Sequence, residues 1–258
     1  MKKSILFRLL ALGIIFSSCK KKDNTTSNSG GGSTSSGGFT NVYGTMLDIQ
    51  NLTYNKITTK PDTSYSAMAW FFNVAQNNWI FGGINTTTSA GNVSLNNTKL
   101  QYISISGIIS LYSDSTGTLN LKINNSWQAV GSSPIPGFAY SPAVFWPTYT
   151  AYAQMPDTIH KTQDNKILLS SITGADSISV SVSDGSNTSG HSYTSGKVTP
   201  SASSITILAA HTTGLNNTAS GTLTISLYKF ASVQSFGAKN FIFIKDVEFQ
   251  KTVEIDNF

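Results

Sequence analysis

The sequence predicts an all-β fold, and three observations indicate it. Apolar and polar residues alternate with a period of two in several stretches after residue 39, as in half-buried strands with one face in water. Turn-forming pairs such as Asn124-Asn125, Asp184-Gly185 and Asn216-Asn217 separate these stretches. Only 11% of the 258 residues are charged, which disfavours coiled coils and long exposed helices, because their outer faces need Glu, Lys and Arg.

The alternation is clearest in four stretches, namely 118–123, 177–183, 222–227 and 247–255. After residue 148 we expect about seven strands, and that number and spacing predict an immunoglobulin-like sandwich. The expected strands are 166–172, 177–183, 191–198, 204–209, 221–230, 240–245 and 247–255.

A proline-rich stretch divides the body of the chain. Five of the seven prolines lie within 133–156, and a proline cannot donate a hydrogen bond to a central ladder. We therefore expect two antiparallel β-sandwich units, at 39–133 and 148–258, joined by a proline- and aromatic-rich linker at 134–147. An alternative in which both units share one core stays open.

The net charge of +5 belongs to the first 23 residues. From residue 39 onward, 11 basic and 11 acidic residues balance. Nucleic-acid binding needs a basic stripe on the folded surface, so the composition argues against a nucleic-acid partner.

The N-terminus combines a basic start with an apolar run, LLALGIIF at 9–16. This run is shorter than the roughly 20 residues that span a bilayer, and its length suits a secretory signal. The following Phe16-Ser17-Ser18-Cys19 resembles the lipobox of bacterial lipoproteins, with Phe16 where Leu is usual. The resemblance implies that residues 1–18 are a lipoprotein signal peptide and that Cys19 is acylated, which anchors the chain in a membrane.

Residues 19–38 follow as a tether rich in Gly, Ser, Thr and Asn, which has too little apolar surface to fold. The stretch SSCKKKDN at 17–24, which overlaps the start of the tether, resembles lipoproteins of Bacteroidota-type bacteria. The last 100 residues resemble such lipoproteins loosely, through ADSI at 175–178 and the closing KNFIFIKDVEFQKTVEIDNF. The resemblance implies a β-sandwich lipoprotein of the bacterial cell envelope, in the outer membrane. Whether it faces the periplasm or the cell surface stays open.

Residues with catalytic chemistry are few. His160, His191 and His211 show no metal-ligand spacing, and the single Cys is assigned to acylation, so we predict neither a metal nor a cofactor. Asp184–Asn187 lacks the full ligand spacing of a calcium loop, and a calcium ion between loops stays an open alternative. Glu248 and Glu254 fall on the polar side of their strand, where they do not form the facing pair of a glycosidase.

Asp184, Ser186 and His191 are the ingredients of a catalytic triad in one loop. However, no Gly-x-Ser-x-Gly elbow surrounds Ser186, so a hairpin loop is the favoured interpretation. We therefore predict a non-catalytic protein, with a hydrolase as an open alternative.

Six aromatic residues lie among the prolines of 138–152. Rings on a proline-stiffened loop can stack on sugar faces, and the candidate ligand platform is Tyr140, Trp146 and Tyr149. The competing interpretation, which we favour, is that these rings pack the junction of the two units.

Three tripeptides, at 114–116, 157–159 and 176–178, resemble the Asp-Ser/Thr-apolar O-glycosylation motif of Bacteroidota. The candidate acceptors are Ser115, Thr158 and Ser177. About one chance match is expected in a chain so rich in Ser and Thr.

Together these features predict a lipid-anchored, non-catalytic envelope protein of interaction or structural type. Its expected partners are the membrane, through the lipid anchor, and a glycan or an envelope protein. A glycan-binding module that uses the aromatic loop is the alternative.

Overall fold

The computed structural model describes residues 41–54, 61–76, 87–105, 109–114, 117–186 and 190–258. The predicted signal peptide and tether, with Cys19, lie outside the described residues. The candidate acceptor Ser115 also lies outside them.

The described chain is almost entirely β, which confirms the predicted fold class. Its helical segments are a 3-10 turn at Tyr152–Gln154 and a single helical turn, α1, at Ala209–Thr212. The strands are β1 Val42–Tyr54, β2 Pro61–Gln76, β3 Thr87–Thr88, β4 Val93–Leu95, β5 Thr98–Lys99, β6 Gln101–Ile105, β7 Ile109–Ser113, β8 Trp127–Ala129, β9 Phe138–Tyr140, β10 Thr148–Tyr149, β11 Thr158–His160, β12 Asn165–Leu168, β13 Ile172–Thr173, β14 Ser177–Ser183, β15 Ser192–Thr194, β16 Ser204–Ile207, β17 Thr218–Phe236 and β18 Lys239–Asp256.

One ten-stranded central sheet runs through the molecule. Its order is β15-β14-β17-β18-β1-β2-β7-β6, with β11 also beside β18 and β3 also beside β2. The sheet includes strands from both predicted units, because β1 and β2 pair into it beside β17 and β18. The 18 residues of β18 span about 60 Å at the rise of an extended strand.

Two ladders differ from the antiparallel pairing that the sequence predicts. β1 and β11 both run parallel to β18, whereas the remaining ladders are antiparallel. A parallel pair cannot be joined by a tight hairpin, so no local turn signal could have predicted the pairing of the first described strand with the last.

The two ends of the central sheet differ. At the hairpin end, β17 and β18 are joined through Gly237-Ala238, and Val42 of β1 pairs with Asn240. At the opposite end lie His160 of β11 and the β14–β15 loop. We call this the histidine end.

The front face of the sheet carries two apolar clusters side by side. The cluster nearer the hairpin end packs Met46, Phe71 and Phe243 under the small sheet β5-β4-β8-β9. The cluster nearer the histidine end packs Val180, Ile225 and further residues under the segments around β10–β13 and β12–β16. The two clusters therefore share one sheet.

The back face is apolar near the hairpin end and polar beyond it. In the described part of the chain, its apolar cluster is built by strands of the central sheet itself. The buried members are Val42, Leu47, Ile49, Met68, Trp70, Phe72, Leu111, Ile242 and Ile244.

Two strand predictions were wrong in detail. The predicted strands 240–245 and 247–255 are one continuous strand, because Lys245 and Asp246 keep the two-residue alternation. The stretch 118–123 is not a strand, although Leu119 and Leu121 are buried and Ile123 is exposed. Alternating burial needs only an extended backbone, whereas a strand also needs a neighbour to pair with.

Candidate functional site

The structure brings all three histidines of the chain to one end of the central sheet. His160 ends β11, His191 precedes β15, and His211 lies in α1. Their separation in the sequence hides this arrangement, because each lies on a different segment of the chain that reaches the same end. The histidine end is therefore the candidate functional site.

His191 is held by a buried aspartate. Its Nδ1 lies 2.6 Å from Oδ2 of Asp184, whose side chain is fully buried. Asp184 also accepts hydrogen bonds from the backbone N–H groups of Asn216 at 2.6 Å and Ser186 at 2.7 Å. The carboxylate thus fixes the imidazole and ties the β14–β15 loop to the segment before β17.

The electrostatics of Asp184 favour its charged form. Burial works to raise the pKa of this carboxyl, but the hydrogen bonds from Asn216, His191 and Ser186 outweigh it and hold the pKa below its usual value. An ionised carboxylate on Nδ1 orients the imidazole so that Nε2 is its remaining ring nitrogen for contact with another group.

A second histidine–aspartate pair lies on the other side of the same end. Nδ1 of His160 is 2.7 Å from Oδ1 of Asp256, and both side chains are about one-third exposed. The hydrogen bond from His160, the largest cause, lowers the pKa of Asp256. The next residue, Lys161, donates from Nζ to the carbonyl of Leu215 at 2.9 Å. Leu215 precedes Asn216, so a chain of bonds connects both pairs.

The third histidine is positioned by stacking. The ring of His211 lies parallel to that of Tyr193, with centroids 4.5 Å apart. Asp164 caps the helical turn, because its Oδ1 accepts the backbone N–H of Ala209 at 2.9 Å. The histidine end therefore presents imidazoles on connected, hydrogen-bonded loops, which suits recognition of a polar partner.

The geometry of the histidine end bears on two chemical roles, a metal site and a catalytic triad. Among the described residues, no group of three or more His, Cys, Asp or Glu is placed to hold a metal ion. The triad ingredients do meet, since Asp184 contacts His191. In a triad the serine hydroxyl lies on the far nitrogen of the histidine, whereas the contact seen for Ser186 joins its backbone N–H to the aspartate.

The predicted aromatic platform is distributed over the front face. Tyr149 is buried, and its hydroxyl donates to the carbonyl of Leu168 at 2.9 Å. Tyr140 is half-buried, with its ring 4.7 Å from that of Phe243. Trp146 is half-buried and packs against both front-face clusters. Phe145, which the sequence analysis did not single out, is the exposed ring of this loop, at 75%.

The candidate glycosylation residues have different surroundings. Thr158 is half-buried in β11. Ser177 is buried in β14, and its neighbour Asp176 pairs with Nζ of Lys229 at 2.8 Å and accepts the backbone N–H of Phe230. The Asp-Ser-Ile tripeptide thus carries a structural aspartate.

Sequence reasoning missed a buried ionic network on the front face. Lys245 is 1% exposed and donates to the carbonyls of Lys122 at 2.9 Å and Ile123 at 2.6 Å. Beside it, Asp48 accepts hydrogen bonds from Asn125 at 2.6 Å and from the Trp127 indole at 2.9 Å. Lys245 and Asp48 lie on register-paired positions of β18 and β1. No local sequence pattern predicts that these two charged side chains are buried.

Burial controls the charge of this pair. Desolvation raises the pKa of Asp48 to about 6, against the hydrogen bonds and the charge of Lys245 that favour its ionised form. The same cause lowers the pKa of Lys245. The Lys245 ammonium also lies 4.5 Å from the centre of the Trp146 ring, a favourable cation–π distance.

Comparisons with protein-family models, curated proteins and solved structures found no match to this chain. Within the part of the chain that the structure describes, no helix is both long and apolar enough to cross a membrane.

Proposed function

We propose that this chain is a non-catalytic interaction module that a lipidated Cys19 fastens to a bacterial envelope, in the outer membrane. The observation that carries the proposal is the order of features in the sequence. A basic start, a short apolar run, a cysteine in a lipobox-like context and a Gly/Ser-rich tether precede a β-rich body.

The orientation of the body supports an interaction role. The first described residue, Asn41, precedes β1 at the hairpin end, so a tether enters the body there. The histidine end lies at the far end of β18, about 60 Å away by the rise of an extended strand. A body held in this way presents His160, His191 and His211 away from its anchor, where an envelope protein or a glycan can reach them.

Fractionation of cells that produce the full chain tests the anchor. The wild-type chain is expected in the membrane fraction, labelled by a fatty-acid analogue, and Cys19→Ala is expected to lose the label. Phe16→Leu, which restores the usual lipobox residue, is the matched control and should keep the label. A labelled Cys19→Ala chain, or an unlabelled wild-type chain, would contradict the proposal.

Site-specific photo-crosslinking tests the orientation. A photoreactive residue at the exposed position His211 is expected to capture an envelope component. The same residue at Val130 serves as the control, because Val130 is 73% exposed and belongs to the layer over the hairpin-end cluster. Equal capture at both positions would contradict a role for the histidine end.

A glycan-binding role is the second candidate, and the exposed ring of Phe145 beside half-buried Trp146 favours it. Aromatic faces of this kind stack on sugars. Glycan-array binding should be lost in Phe145→Ala and kept in Phe258→Ala, which removes another exposed ring. Binding that survives Phe145→Ala combined with Trp146→Ala would exclude this loop.

A further inference from the structure

The front-face network brings together a lysine, an asparagine and an aspartate that are all buried. Lys245, Asn125 and Asp48 are each at most 2% exposed. Lys245 and Asp48 lie on paired positions of β18 and β1, and Asn125 reaches Asp48 from the layer over the sheet. An amine, an amide and a carboxyl that meet away from water are the groups that a covalent bond between two side chains requires.

The side-chain amide of Asn125 is held at both of its polar atoms. Its Oδ1 accepts the backbone N–H of Lys122 at 2.8 Å and Nδ2 of Asn96 at 3.1 Å. Asn96 is fixed in turn, because its Oδ1 accepts the backbone N–H of Ser126 at 2.8 Å. Two donors on a carbonyl oxygen stabilise negative charge that develops there, as in an oxyanion hole. Nδ2 of Asn125 donates to Oδ2 of Asp48 at 2.6 Å, so this carboxyl is placed to protonate a leaving nitrogen.

The amine of Lys245 lies against the same loop as the amide. Its Nζ donates to the carbonyls of Lys122 at 2.9 Å and Ile123 at 2.6 Å. Nδ2 of Asn125 also donates to the carbonyl of Lys122, at 3.0 Å. The amine and the amide nitrogen therefore contact one oxygen between them. The lysine stem has four flexible carbons, so rotations of that stem can carry Nζ from this oxygen to Cγ of Asn125.

Burial favours the reactive forms of both charged groups. Desolvation lowers the pKa of Lys245, against the charge of Asp48, and raises the pKa of Asp48 to about 6. An amine attacks only when it is unprotonated, and a carboxyl donates a proton only when it is protonated. The indole of Trp127 donates to the other oxygen of Asp48 at 2.9 Å, and the Trp146 ring lies 4.5 Å from Nζ. The reacting groups are therefore surrounded by aromatic side chains.

We propose that Lys245 and Asn125 form an isopeptide bond within the chain, with Asp48 as the catalytic residue. The unprotonated Nζ attacks Cγ of Asn125, and the carbonyl electron pair moves to Oδ1, where the two donors stabilise it. The proton that Nζ loses passes through the Asp48 carboxyl to Nδ2. The bond between Cγ and Nδ2 then breaks, the C=O bond is restored, and ammonia leaves.

The products are one secondary amide and one ammonia, so the reaction needs neither an oxidant nor a cofactor. It occurs once in each folded chain and acts on no other molecule, which agrees with a non-catalytic role towards partners. A link between positions 125 and 245 closes a long loop of the unfolded chain and fixes the upper layer on the sheet, in the way that a disulfide stabilises a fold.

Tandem mass spectrometry of tryptic peptides from the purified full chain tests the bond directly. Trypsin cuts after Lys and Arg, so Asn125 falls in the peptide 123–161 and Lys245 falls between the cuts after Lys239 and Lys251. Wild type should give a branched peptide in which 123–161 is joined to 240–251, uncut at Lys245. Its mass should be about 17 Da, one ammonia, below that of the two peptides together. Wild type that is cut after Lys245 and shows no branched peptide would overturn the proposal.

Variants assign the roles of the three residues. Lys245→Arg and Asn125→Ala should give no branched peptide, and Asp48→Asn should reduce its amount at least tenfold in chain that is folded by circular dichroism. Lys251→Arg is the matched control, because Lys251 is also buried in β18 but contacts the Met155 carbonyl and the Asp157 carboxylate. It should keep the branched peptide. Wild-type amounts of the branched peptide in Asp48→Asn, or an equal loss in Lys251→Arg, would contradict the assigned roles, and the wild-type result does not depend on how the variants fold.

Discussion

Lys245 and Asp246 are adjacent in β18 and both buried, but they point to opposite faces of the sheet. The two side chains differ in how fully their polar atoms are hydrogen-bonded. On the front face, the Lys245 ammonium reaches two carbonyls, and its neighbour Asp48 accepts two side-chain donors. On the back face, Oδ1 of Asp246 has no partner, and neither does Nδ2 of nearby Asn51.

The difference separates charges that join two layers of the molecule from a buried carboxyl with an unpaired oxygen. The front-face bonds join the central sheet to residues 122–127 of the layer above it, so they fix that layer on the sheet. For Oδ1 of Asp246 and Nδ2 of Asn51 there is no corresponding contact.

Breaking the front-face network should have the largest effect. Asp48→Ala leaves the buried Lys245 cation without its neighbouring carboxyl and leaves the Asn125 and Trp127 donors unpaired. We expect a loss of about 3–5 kcal/mol in the free energy of unfolding, measured by urea denaturation. A loss below about 1 kcal/mol would show that the network is not structural.

At the histidine end, Asp184→Ala should cost about 1.5–3 kcal/mol, because it removes the buried carboxylate that accepts the backbone N–H groups of Ser186 and Asn216 and holds His191. Asp256→Asn is the matched control, since its pair with His160 is partly exposed and should contribute much less than Asp184. Urea denaturation of both variants compares them, and equal losses would contradict the difference in burial.

The front-face pair should also make stability depend on pH. Asp48 has a pKa of about 6 in the folded protein and 3.8 as its model value, so the folded state binds the proton more tightly. The contribution of Asp48 to the free energy of unfolding is greatest at low pH. It falls as pH rises through about 4 to 6, by about 2 kcal/mol between pH 4.5 and 7. Asp246 acts in the same direction, and Asp184 and Asp256 in the opposite one at lower pH.

Asp48→Asn isolates that contribution, because the amide keeps a hydrogen-bonding oxygen but does not titrate. The free energy of unfolding should decrease less from pH 4.5 to pH 7 in the variant than in wild type. An identical pH dependence in both proteins would show that Asp48 titrates normally.

The smallest effect is expected on the back face. Asp246→Asn should change the free energy of unfolding by less than about 1 kcal/mol, because no hydrogen bond to Oδ1 is lost. Urea denaturation measures this change in the free energy of unfolding. A loss as large as that of Asp48→Ala would remove the contrast between the faces.

Local patterns predicted the local structure of the chain. The strand predicted at 177–183 is β14 at the same residues, because Ile178, Val180 and Val182 alternate cleanly with serines. Glu248 and Glu254 also lie on the more exposed side, as their parity predicts. The immunoglobulin-like topology and the division near residue 148 stay predictions.

The candidate site could not be predicted from spacing, for a physical reason. His160, His191 and His211 lie in separate connections, and only the pairing of β11 with β18 and of β14 with β17 sets them at one end. The burial of Lys245 was hidden in the same way, since its two carbonyl partners lie more than 120 positions earlier in the chain.

We propose that a lipid on Cys19 anchors this β-rich body in an envelope. Intact mass spectrometry of the chain purified from membranes tests this anchor. We expect a polypeptide that begins at Cys19, with added mass equal to a lipid group and additional acyl chains. An unmodified chain, or one that keeps residues 1–18, would contradict the claim.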